Sequence, residues 1–107
     1  MSASVFDLKT LQHYPYEQRE KNVFFSGEGF KTRIIVLPPG GSMPDCQMPT
    51  AVIFHVVSGS VEVEADGVTH QLGEGHCLVG GPGRFAMRTA DGARLLGIQV
   101  DPSKAGS

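Results

Sequence analysis

The chain has 107 residues, 40% of them hydrophobic, with 14 glycines and 7 prolines. That composition suits one domain of short strands and tight turns and leaves no room for a comfortable second core. The formal net charge is −2 and the nine Lys and Arg residues form no run, which argues against a nucleic-acid partner, since phosphate binding needs a concentrated basic patch. No apolar run is long enough for a membrane span, and "MSASVFDLKTLQHYPYEQRE" lacks the basic-then-apolar order of a secretion signal. A cytoplasmic location is therefore expected, with Cys46 and Cys77 as free thiols.

In chain order, residues 1–21 read as an irregular arm with about one turn of helix, because His13, Tyr14, Pro15 and Tyr16 interrupt the only helical stretch. Strand signals begin at "NVFFSG" (22–27) and "FKTRIIVL" (30–37). "PPGGSMP" (38–44) reads as a loop without capacity for a central strand. "TAVIFHVVSG" (50–59) is apolar on both faces and enters a turn at Gly59. Asp66-Gly67 then closes a two-residue hairpin that pairs Ala65 with Val68, Val63 with His70 and Val61 with Leu72. These six residues form the core face, while Glu62, Glu64, Thr69 and Gln71 face water. "GEGHC" and "GGPG" turn the chain again, and "RFAMRTA" with "ARLLGIQV" form a last hairpin through Asp91-Gly92. The barrel is thus expected over 22–100, and 101–107 as a frayed tail. Six to eight short strands at regular spacing predict an all-β sandwich or barrel.

The order "LPPGGSMP", "VVSGSVEVEADG", "LGEGH", "GGPG" resembles that of the small single-domain cupins over residues 33–100. The resemblance implies a double-stranded β-helix, or jelly-roll-like, barrel, and a homodimer paired through sheet edges or swapped N-terminal strands. It does not bring the family's metal ligands. The positions matching His-x-His are Cys46 and Met48, the Glu position is Val52, and the His of the second motif falls at Ala86. No metal is expected at those positions. The alternative is one soft or transition-metal ion, such as Cu(I), on Cys46, Met48 and His70, because a thiolate and a thioether two residues apart share one strand face.

The remaining chemistry is sparse. The expected cavity lining is Cys46, Met48, Val52, Phe54, His70, Ala86 and Arg88, with Met87 only if a bulge turns it inward. Arg33 shares its side of the strand with Ile35 and Leu37, and an inward Arg33 or Arg88 would be a hook for a carboxylate or phosphate. Cys and Met equally fill a barrel mouth as packing residues, and a core histidine is commonly satisfied by one hydrogen bond. The first expectation for function is a non-enzymatic barrel whose mostly apolar cavity binds or senses a small organic molecule, an anionic one if Arg33 or Arg88 faces inward. The alternative, implied by the resemblance, is a metal-dependent isomerase or dioxygenase.

Overall fold

A computed structural model describes residues 3–101. An arm leads through a short 3-10 helix, Tyr16–Asn22, into eight strands. They are β1 (Val23–Gly27), β2 (Phe30–Leu37), β3 (Ser42–Met48), β4 (Ala51–Ala65), β5 (Val68–Gly73), β6 (Cys77–Gly80), β7 (Gly83–Arg88) and β8 (Ala93–Val100). The expected tail lies, but for Asp101, outside the described residues.

All pairings are antiparallel, and the curled sheet folds into two layers because β4 belongs to both. Its first half pairs β8 and β6, giving a front layer β1-β2-β8-β4-β6. Its second half pairs β7 and β5, giving a back layer β3-β7-β4-β5. Gly59 is where the strand bends, not where it ends: its φ is +81° and the register slips between Val56 and Ser58. A side chain at 59 would collide with the Gly92 carbonyl and lie 2.9 Å from Ala93 Cα, so this corner needs glycine twice over.

The Asp66-Gly67 turn has positive φ at both residues, 48° and 85°, and the hairpin register is as expected from the sequence. Asp91-Gly92 differs. It joins two strands that do not pair with each other, since β7 runs beside the second half of β4 and β8 beside the first. Buried Thr89 locks this crossing: its hydroxyl donates to the Ser60 carbonyl (2.6 Å) and accepts from Gly92 N–H (2.9 Å). A second correction concerns residues 42–44, which open β3 instead of belonging to a loop. Pro44 is tolerated because β3 is an edge strand and the register shifts between Met43 and Cys46.

The core lies between the layers. Val52, Phe54 and Val56 from the front half of β4 meet Val61, Val63, Phe85 and Met87 of the back layer. Phe54 and Phe85 touch edge to face across the gap, with centroids 5.7 Å apart. Outside the front layer the arm is strapped down by Phe6 on Phe24 (centroids 4.8 Å) and by Arg94, whose guanidinium donates to the carbonyls of Leu8 and Leu11 (3.0 and 3.2 Å). No helix among the described residues is long and apolar enough to cross a membrane.

Candidate functional site

Alternation along β2 turns Arg33 inward with Ile35 and Leu37, because this face of the strand packs toward the back layer. Its register partner on β8 is Gly97, over which Ile35 and Phe54 pack closely. Beside Arg33 lies a cavity of about 60 Å³ between the layers, walled by Leu37, Met43, Met48 and Phe54 and reached by Gln99. The arm forms its other wall through Tyr14, Tyr16 and Arg19. Asn22, itself buried, holds that segment by reading the Tyr14 backbone twice. Its Oδ1 accepts from Tyr14 N–H (2.7 Å) and its Nδ2 donates to the Tyr14 carbonyl (3.0 Å).

The charges here are poorly matched. The Arg33 side chain is only 17% exposed, and its Nε is buried without a hydrogen-bond partner. Its nearest carboxylate in an ion pair is Glu20, 3.8 Å from a terminal nitrogen and 80% exposed, too long for a hydrogen bond. A buried donor left unpaired on a charged group costs about 1–3 kcal/mol or more. Arg19, an exposed residue, is the second arginine lining the cavity, its guanidinium stacked 4.3 Å over the Tyr16 ring and donating to the Tyr16 carbonyl (3.2 Å).

Of the residues expected to line a cavity, Arg33, Met48 and Phe54 meet there. Val52 is fully buried in the core below, and Met87 is buried beside it with no bulge in its pairing to β4. Neither reaches the cavity wall. Cys46 packs half-buried against the core edge. Burial, and then the neighbouring Asp45 carboxylate, push its thiol pKa up, against the pull of Arg19, Arg33 and Arg84.

Three residues lie elsewhere than expected. Ala86 and Arg88 face outward, because the large apolar pair Phe85 and Met87 takes the inner side of β7. Exposed Arg88 pairs with Glu62 on the outer surface, and Arg84 does the same with Asp45. His70 is exposed although it pairs with buried Val63. Its strand, β5, is bonded to β4 alone and runs out at the layer's edge, so Val68 beside it is also 57% exposed.

This placement bears on metal binding. Cys46 and Met48 do share one face of β3, but β3 and β5 are opposite edges of the back layer. His70 is therefore three strand spacings away, about 14 Å along the sheet. Val52 and Ala86 carry no donor atoms, and among the described residues no three of His, Cys, Asp and Glu converge. The residues present do not fit the fold's usual metal. Sequence reasoning missed Tyr14, Tyr16, Arg19, Asn22 and Gln99. The signal for the first four was "YPYEQREKN" itself, whose aromatic rings and long cations need an apolar surface to lie on.

No family model matches the chain, and no curated protein matches it in sequence. Solved structures do match. A conserved protein of unknown function from Streptococcus pyogenes superposes with a TM-score of 0.75 at 20% identity, over 95% of this chain and 90% of its own. A protein from Thermus thermophilus gives a TM-score of 0.75 at 22% identity, over 92% and 98%. A cupin protein from Bacteroides fragilis is 30% identical over 74% of this chain and 69% of its own, with a TM-score of 0.64. The first two share the fold; the third, with the two-layered curled sheet and the corner at Gly59, shows that this chain belongs to the cupins.

Proposed function

We propose that this cupin is a non-enzymatic binding barrel for a small organic anion, held by Arg33 in the cavity beneath the arm and without a resident metal. The observation that carries this reading is the Arg33 Nε, buried and unpartnered, on a residue of a mostly apolar cavity wall. A guanidinium is a planar fork suited to a carboxylate or phosphate. A bound anion would supply the hydrogen bonds that Glu20 is too distant to make. The cavity, about 60 Å³, is small beside the roughly 300–1,000 Å³ of drug-sized sites. It suits a ligand of few atoms, or the head group of one whose remainder leaves past the arm.

Thermal denaturation in the presence of butyrate or propyl phosphate tests the reading, since a ligand of the folded state raises the melting temperature by mass action. The expected result is a concentration-dependent rise that Arg33→Met abolishes. No rise with either anion, or an equal rise in the variant, would refute it. Elemental analysis of protein never exposed to chelator addresses the alternative: one transition-metal ion per chain would restore the metal-dependent enzyme. We also propose a cytoplasmic homodimer, paired through an exposed edge such as β6, whose Val79 is 73% exposed. Sedimentation velocity decides the oligomeric state.

A further inference from the structure

Two arginines line one cavity of about 60 Å³, Arg33 from the barrel and Arg19 from the arm. A single planar carboxylate is satisfied by one fork, and a second cation at the same small site then remains unneutralised. A tetrahedral phosphoryl group has three terminal oxygens and close to two negative charges, so it accepts from two guanidiniums approaching from different sides.

We infer that the head group held in this cavity is a phosphoryl monoester, bridged between Arg33 of β2 and Arg19 of the arm. This rests on the anion-binding reading of the same cavity and deepens it.

Three further observations agree. Arg19 is exposed, but the Tyr16 ring beneath it and the Tyr16 carbonyl fix its direction. Both arginines are among the residues lining the same cavity between arm and barrel. The carboxylates nearby are otherwise engaged or distant, Asp45 with Arg84 and Glu20 at 3.8 Å from Arg33. The ligand would add a tie between arm and barrel to those already present, the Arg33–Glu20 ion pair and the Arg94 hydrogen bonds to the Leu8 and Leu11 carbonyls.

The experiment is calorimetric titration of the full chain with propyl phosphate and with butyrate, for the wild type, Arg19→Gln and Arg19→Lys. The expected result is a preference for propyl phosphate of about tenfold or more in the wild type, one charged hydrogen bond's worth. Arg19→Gln should bring that ratio close to one, and Arg19→Lys, which keeps the charge, should retain most of it. Equal affinity for the two anions in the wild type would overturn the inference and leave the anion-binding site standing. So would an unchanged ratio in Arg19→Gln, which would show that Arg19 serves the arm's position and not the ligand. If neither anion binds, the underlying reading fails and this inference fails with it.

Discussion

Arg33 and Arg88 make the instructive pair. Both lie on strands beside large apolar residues, and both were reasonable anion hooks in the sequence. Arg88 ends β7 on the outer surface, matched by Glu62 and bathed in water. Arg33 faces the interior, with one nitrogen unpartnered and its carboxylate too far away. The difference is one of strand parity. On β7 the inner positions go to Phe85 and Met87, whereas on β2 the arginine shares its side with Ile35 and Leu37. A surface ion pair is nearly neutral in its consequences, while a half-satisfied buried cation has a reason to bind something.

The largest expected effect tests that parity directly. Phe85→Ala should destabilise the fold by about 3–5 kcal/mol, as for a fully buried aromatic, whereas the adjacent Ala86→Ser should stay within about 0.5 kcal/mol. Urea denaturation of the two variants measures both. Similar losses would mean that β7 does not present its faces as described.

Next comes the contrast in binding. Arg33→Met should weaken a bound anion by about 1.5–3 kcal/mol, the worth of a charged hydrogen bond. Arg88→Met should leave the affinity unchanged, and titration calorimetry reads both. A loss at Arg88 would move the site to the outer face. A smaller effect separates the arm from the barrel: Asn22→Ala removes both hydrogen bonds to Tyr14, at about 1–2 kcal/mol. Amide exchange should then quicken over residues 14–22 and stay slow in β4 and β8. Uniform quickening would instead make the arm part of the core.

The smallest effect is a pH slope at Cys46. Its thiol is held above the usual range chiefly by burial, so the unfolded chain loses that proton first. The stabilisation is whole below the unfolded value of about 8.5 and disappears as pH climbs through the folded one. The melting temperature of the wild type should thus decline more steeply than that of Cys46→Ala between about pH 8 and 10. Parallel curves would contradict it.

Much of the barrel was legible because its code is local. Asp66-Gly67 can hardly be anything but a primed turn, and Val61 and Val63 alternate with Glu62 and Glu64 in plain view. The same alternation was present in "RFAMR", but alignment to the family's second histidine position gave Ala86 the inner face that Phe85 and Met87 occupy. His70 was misplaced for a different reason. Register gave its partner Val63 correctly, but no sequence rule says that the far end of β5 has nothing packed over it. The cavity's arm-side wall depends on a fold-back between residues 14–22 and β2, a contact that short-range pattern cannot specify.

The position of β8 has a consequence for how this chain is made. That strand lies between β2 and β4, pairing Leu37 through Phe30 on one side and Ala51 through Gly59 on the other. While residues 93–100 are still inside the ribosome, β2 and β4 have no neighbour to join them, and their apolar inner faces must wait in solution. Early segments can close the local hairpins β1-β2 and β4-β5, but the barrel forms only when its last strand is inserted into the middle. Such non-local pairing is slow, so the chain is most vulnerable to aggregation until β8 has taken its place between β2 and β4.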